Sequence, residues 1–579
     1  MAPSTTSRPS ALACRECRRK HLKCDAQTPV CGRCISNALD CVYTGSRRGL
    51  HRKRNSRLLQ PGNSATARPP SSVKTTCAAS DVSPELNVPT NFCEVRVTEE
   101  EAESYASHDV NESQISSTVW NTDNPDRERL LGLFYTHFYD AHPFLVPRAF
   151  YTAQHYPRYL DLTVCLVGQH YSSRPSEASA LLIAVTHAMS EPDERTVPRV
   201  QALVLYTIAL HARNQVKEAE AHIARAAKLA LDLGLNDPTF AASTSNSHVT
   251  EESARRTWWE LYTVELYLAA ILRRSTSKTN TVQTLPLLPC PQSVFELGTR
   301  VEQSPSLQSF DERVFTADLR SGFSSYCYRI AAIRIISRIL ALTTVHDADP
   351  DSIQAVDNAL VGWEYNLPTP QLNLVGPSGE VDQMLFQARC FIACANIFLH
   401  FPRSDLPATV PFSLKDLACV KGYTQLAPTS RHHGIKCINA SKNLSDLATL
   451  PWPLERHSPL FICGLVLACI IQLAAGTTHL NQCGLDCLQQ HRDRVVLMLG
   501  ALQRLGEKWA LAQHAVGYLR SIAGTVFAVR ESGETATATG TSSDFDSGIG
   551  VGDDLSSMPW LDLLAVDDLQ SGFFGYEAT

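Results

Sequence analysis

From about residue 126 to 531, apolar residues recur every three or four positions, the spacing of helices laid against a core. The stretch opens with RERLLGLFYTHFYDAHPFLV, residues 127–146. In EAEAHIARAAKLALDLGLNDP, residues 218–238, Ile223, Ala227, Ala230 and Leu231 share one helical face, and Gly234, Asn236 and Pro238 supply stop signals. ESARRTWWELYTVELYLAAIL, residues 252–272, repeats the pattern with Trp258, Leu261, Leu268 and Leu272 on one face and Arg255 and Arg256 at its start. The same period predicts helices around 384–400, 432–449, 459–475 and 486–529. Strand-like alternation is scarce, so the pattern predicts a large all-α body, with loops at 243–247 and at the proline-bearing 283–293. No fixed-period repeat is present.

Outside that body the helical pattern stops. In residues 61–80, 11 of 20 positions are Pro, Gly, Ser or Thr, which reads 58–125 as a disordered linker. Charge divides the chain more sharply. The formal net charge is −6, yet residues 1–57 hold 13 Lys/Arg against 3 Asp/Glu, a net of +10, leaving −16 for the rest. A basic segment on an acidic body is the pattern of a nucleic-acid-binding arm. The amino terminus shows no apolar run of a secretory signal, so the expectation is an intracellular chain whose 19 cysteines are thiols or metal ligands. The longest apolar run, 459–471, is short for a membrane span and reads as a buried core helix. Cys390, Cys394, Cys463 and Cys469 lie in apolar helical segments and are expected as buried thiols.

Six cysteines behave differently. Cys14, Cys17, Cys24, Cys31, Cys34 and Cys41 spell C-x2-C-x6-C-x6-C-x2-C-x6-C, and each of the last three lies 17 residues after its counterpart. C-x2-C pairs bring thiolates onto one metal, and a tetrahedral all-thiolate site selects zinc. Two zinc ions need eight ligand positions, and six sulfurs fill eight only if two bridge, which favours a two-metal cluster. A single zinc ribbon would leave Cys24 and Cys41 without roles, and iron–sulfur spacing is absent. The x6 spacer of the first half is Arg-Arg-Lys-His-Leu-Lys; that of the second is Ile-Ser-Asn-Ala-Leu-Asp. Since only one copy is basic, the fold does not demand the charge, and Arg18, Arg19, Lys20, His21 and Lys23 are read as facing DNA.

The six-cysteine spacing, with CRRKHLKCD and PVCGRC around Pro29, resembles the fungal binuclear zinc-cluster transcription factors. RRTWWELY and AAKLALDLGLN resemble that family's helical regulatory domain. The resemblance implies a small domain of two short helices around two zinc ions, with Cys14 and Cys31 as the bridges. It also implies a first helix in the major groove at CGG-like half-sites. His21 departs from the family, which commonly has lysine there, so the expectation is either that Lys20 takes over the base contact or that the preferred triplet is altered.

Three further readings complete the expectation. SRRGLHRKRNSR, residues 46–57, offers Arg52, Lys53 and Arg54 to phosphates or to nuclear import, and the leucines beside it make no sustained heptad, leaving dimerisation open. The segment 542–579 mixes seven aspartates and one glutamate with Phe545, Trp560, Leu561, Leu563, Leu564, Phe573, Phe574 and Tyr576, the composition of a disordered activation domain that docks a coactivator. No HExxH, Walker A or GxSxG motif is present, and His432 and His433 read as surface or helix-start residues. The expected layout is therefore a zinc-cluster DNA-binding domain at 1–57, linker at 58–125, all-α regulatory domain at 126–531 and acidic tail at 532–579. Such a chain is a nuclear, sequence-specific transcription regulator of a fungal metabolic, even secondary-metabolite, gene set, and an activator rather than an enzyme. Its partners are double-stranded DNA, a coactivator and a small-molecule effector held in the helical domain, with no membrane. The alternative is a helical enzyme or metabolite sensor carrying a metal-binding appendage.

Overall fold

The computed structural model describes residues 17, 24–25, 31–37, 125–173, 178–274, 277–300, 304–315, 322–343, 349–368, 373–406, 430–479 and 485–528. The chain divides into two units, Met1–Ser104 and Tyr105–Thr579. In the first, α1 (Gly32–Ser36) is five residues long, and Cys31 sits at its N-cap in extended conformation. The linker expected at 58–125 lies outside the described residues except for Pro125, which opens a helix, and so does the tail at 532–579.

The second unit is helical, and among its described residues the only β-contact is an isolated bridge between Val375 and Val381. Its main helices are α2 (Pro125–His137), α3 (Arg158–Gln169), α4 (Ala178–Ser190), α5 (Val197–Ala212), α6 (Val216–Leu233), α7 (His248–Ile271), α8 (Ser325–Thr343), α9 (Pro350–Tyr365), α10 (Gln383–His400), α11 (Arg431–Leu447), α12 (Phe461–His479), α13 (Leu485–Gly506) and α14 (Ala510–Ala528). Chain neighbours pack as pairs, α5 on α6, α10 on α11, α12 on α13 and α13 on α14. For α5–α6, α12–α13 and α13–α14 the short connection favours such pairing, because a helix end delivers the chain beside the helix it has just left. One hydrophobic core runs through the unit, from Leu130 to Phe527.

The amphipathic pattern at 218–238 becomes α6, which buries Ile223, Ala226, Ala227 and Ala230 and stops at Gly234, whose φ of 82° is left-handed. The neighbouring pattern is different from what its period predicts. α7 is not a one-faced helix but is buried from Glu252 to Ile271, because α5, α6 and α8 cover it on several sides. It begins earlier than predicted, where Ser247 and Thr250 close a reciprocal capping box. The single segment predicted at 486–529 is two helices. Gly506 ends α13 where the backbone of Gln513 comes so close that a Cβ would stand 3.1 Å from its Cα and N, and Trp509 is fully buried in the turn.

The apolar run near 459–471 lies in α12 and is core, as expected. α12 and α10 are long and apolar enough to cross a membrane, but 89% of each apolar window is buried in the body. Among the described cysteines of this unit, Cys165, Cys290, Cys327, Cys390, Cys394, Cys437, Cys463 and Cys469 are buried. Burial pushes the thiols of Cys165, Cys437 and Cys469 far up, which keeps them protonated and inert.

Candidate functional site

The cysteine unit brings residues of both half-repeats together. The sulfurs of Cys17 and Cys24, from the first half, and Cys31, from the second, all lie within 4.8 Å of one another. Cys17 Sγ and Cys31 Sγ are 3.8 Å apart. Two thiolates on one tetrahedral zinc, with Zn–S bonds of about 2.3 Å, stand about 3.8 Å apart. The donor set therefore fits zinc in both chemistry and spacing, with Cys17, Cys24 and Cys31 as residues that would hold one ion. Bound zinc would supply folding free energy to a unit with little apolar core.

Local structure sets this geometry. The extended backbone at Cys31 turns its side chain back over α1, where Sγ accepts the Cys34 N–H at 3.4 Å. Cys34 is itself buried. Asp25 accepts the Gly32 N–H with both carboxylate oxygens, at 2.9 and 3.2 Å. Cys14, Cys41 and the DNA-facing candidates Arg18, Arg19, Lys20, His21, Lys23, Arg52, Lys53 and Arg54 lie outside the described residues.

The helical unit carries charge where its period predicted only packing. Glu260 and Arg329 are both fully buried and paired in two parallel hydrogen bonds, at 2.7 and 2.8 Å. His142 Nδ1 lies 2.7 Å from the same carboxylate, and Tyr326 donates to it at 2.9 Å. Arg329 Nε donates to Gln387, Gln387 donates to the Ala141 carbonyl, and His142 Nε2 lies 2.8 Å from Ser458 Oγ. Burial pushes Glu260 up, but Arg329 and His142 outweigh it and hold its carboxyl well below the usual range. The bracket ties α7, α8 and α10 to the segment that follows α2, at Ala141 and His142, and to Ser458 just before α12. Period alone could not find it, because its members are as far apart in sequence as residues 142 and 458.

Arg255 and Arg256, at the head of the same helix, are also structural. Arg256 donates to Glu252 at 2.9 Å, to the carbonyls of Pro143 and Cys290 and to Gln292, while Arg255 pairs with Glu251 and Glu252. Beside them opens a cavity of about 400 Å³, walled by Arg255, Leu287, Cys290, Val294 and Phe295. His432 stands at the start of α11 as expected, but His433 has partners that spacing could not show. Its Nδ1 is 2.8 Å from His400 Nδ1, and His400 Nε2 is 3.1 Å from Asp357, which also pairs with Lys436. Burial, with Lys436 adding to it, pushes His400 down to about 3, so the pair is neutral at pH 7.

Thiols gathered at zinc spacing in one unit, and a second unit that is helical among its described residues and braced by buried ion pairs, define a metal-binding module joined to a helical body. The fungal Zn(2)-Cys(6) binuclear cluster domain matches residues 12–50, and the fungal specific transcription factor domain matches residues 131–349. The C6 finger domain transcription factor iacK of Pestalotiopsis fici is 26% identical over 589 residues, covering 93% of this chain and 84% of the relative. The abscisic acid cluster transcription factor abl7 of Leptosphaeria maculans is 44% identical over 45 residues, 8% of each chain. The citrinin biosynthesis transcriptional activator mrl3 of Monascus ruber is 43% identical over 47 residues, 8% of this chain and 9% of the relative. No solved structure matches the chain. The chain belongs to the fungal binuclear zinc-cluster transcription factors. Membership implies zinc and DNA binding and points to the nucleus and to a regulator rather than an enzyme. The matched helical region ends at residue 349, but the Glu260 bracket continues to Gln387 and Ser458, so the body's fold extends past the match.

Proposed function

We propose that this transcription factor activates a fungal metabolic gene set, of the secondary-metabolite kind that the names of its relatives describe, by reading CGG-like half-sites. The convergence of Cys17, Cys24 and Cys31 carries the reading. It supports a shared site spanning both half-repeats, in which Cys14, Cys17, Cys24, Cys31, Cys34 and Cys41 hold two zinc ions and Cys14 and Cys31 bridge. Arg18, Arg19, Lys20, His21 and Lys23 then lie on the spacer between two ligands, with Lys20 reading a base and Arg52, Lys53 and Arg54 holding phosphates. The layout is DNA-binding domain at 1–57, linker at 58–125, helical regulatory domain at 126–531 and activating tail at 532–579. The tail engages a coactivator through Trp560, Leu563 and Leu564, and the cavity beside Arg255 offers room for an effector.

The test is metal content joined to DNA binding on the full chain. Two zinc ions per chain are expected, and one would remove the bridged cluster. Lys20→Ala is expected to lose about 1 to 3 kcal/mol on the best site and to discriminate less between triplets, whereas Lys53→Ala weakens all sequences alike and lowers the salt slope by about one. Equal losses for Lys20→Ala on matched and scrambled DNA would refute its reading role.

A further inference from the structure

Asp25 spans the join between the two half-repeats. It follows Cys24, the third cysteine, and its partner Gly32 follows Cys31, the fourth. The Gly32 N–H is in the first turn of α1, where amides have no partner within the helix. Both Asp25 oxygens accept it, at 2.9 and 3.2 Å, in a charge-assisted bond of the kind favoured at a helix start. The tie joins the residue after Cys24 to the residue after Cys31, two cysteines whose sulfurs belong to one thiol cluster.

A second observation concerns the partner rather than the acid. A Cβ at position 32 would stand 2.7 Å from Asp25 Oδ2, so a side chain there has to push that carboxylate oxygen off its present place on the amide. The next amide bond of the turn, Cys34 N–H to Cys31 Sγ, depends on the same backbone. A one-residue change at either end of the tie therefore moves the fourth cysteine without removing any sulfur.

We infer that Asp25 is a positioning residue for the metal cluster, setting Cys31 against Cys24 by capping α1. The inference rests on the zinc reading and goes beyond its ligand set. In the unfolded chain the loop between the two cysteines is open, and closing it costs entropy that metal binding must otherwise supply. With the tie in place, part of that cost is met before the metal arrives.

The experiment is competition of full-length protein with a zinc chelator, followed by cobalt(II) substitution. Asp25→Ala is expected to weaken zinc retention by about tenfold or more, the usual effect of removing a group that orients a ligand. Its cobalt absorption at saturation is expected to match the parent's, because all the sulfurs remain. Asp25→Asn keeps an acceptor and is expected to recover most of the loss. Gly32→Ala is expected to reproduce the loss, and the double variant to be no worse than either single one. Parental zinc affinity in Asp25→Ala overturns the assignment, as does an Asn variant no better than Ala, additive losses in the double variant, or a cobalt spectrum that changes at saturation. A parent chain that holds no zinc overturns the zinc reading itself, and this result is separate because it needs no variant.

Discussion

The two units are held together by opposite means. In the cysteine unit the described helix is five residues long, its Ile35 is 64% exposed, and what converges is sulfur. In the helical unit the core holds fully buried tryptophans and phenylalanines, and a carboxylate and a guanidinium are themselves fully buried within it. A segment with so little apolar surface to hide must draw its folding energy from metal, whereas a large core can hold an ion pair in place and make its loss expensive. Metal ligands tolerate no substitution, while a core keeps its fold through many volume-conserving ones.

Removing the metal should break the comparison most completely. Chelation of the full chain at pH 7.5 is expected to abolish specific DNA binding, since structural zinc supplies about 10 to 16 kcal/mol to small zinc-folded peptides. The helical circular dichroism and thermal transition of the body should stay where they were. A body that melts on chelation would show that the two units do not hold themselves by separate means.

Acid should act on the body next most strongly. Burial pushes His170 and His211 down to about 4 and His400 and His457 to about 3. These groups stay neutral in the folded chain, whereas the unfolded chain takes up protons below about 6.5. The unfolded state therefore binds more protons between pH 6.5 and 4, and stability falls as pH falls through that window, by up to about 1.4 kcal/mol per unit for each histidine. Carboxylates held low, such as Glu260, add their own loss only below about 4. Chelated protein followed by urea titration from pH 7 to 4 should show the body's midpoint dropping steadily. A flat midpoint down to pH 5 would mean that these histidines are not buried as neutral groups.

Glu260→Ala isolates a single member of the buried bracket. It leaves Arg329 charged and its Nη donors unpaired in the core, at a cost of about 3 to 5 kcal/mol. Zinc content should not change. Urea unfolding with zinc analysis on the same sample reads both, and a loss below about 1 kcal/mol would mean that water reaches Arg329.

How much of this was legible follows from where the information sits. The six cysteines announce a metal site because a ligand set is a pattern of identities at fixed spacing, and the structure gathers three of them. Helix existence was legible too: Gln383–His400 and Arg431–Leu447 lie within two residues of their predicted bounds, since apolar period and stop signals are local. What stayed hidden is contact between distant residues. Nothing near Glu260 in sequence names Arg329 or His142, nothing near His433 names His400, and α7 looked one-faced because the chain does not say how many neighbours a helix will have. Asp25 was hidden as well, since it stands seven residues ahead of Gly32 and the N-cap position itself is held by Cys31.

The smallest effect belongs to the most legible signal of the body. Gly234 reads from sequence as a helix stop, and it closes α6 with φ 82° and ψ 25°. An added Cβ would touch only Phe240 Cδ2 at 4.0 Å, so Gly234→Ala meets no clash and its cost is the left-handed backbone alone, about 1 kcal/mol. The expected result is a small drop in the urea midpoint with an unchanged slope. In the body, then, the feature easiest to read costs least and the bracket that no local pattern shows costs most, whereas in the cysteine unit the feature easiest to read carries the whole fold. A Gly234→Ala loss as large as that of Glu260→Ala would erase this contrast, because a purely local element would then be holding the core.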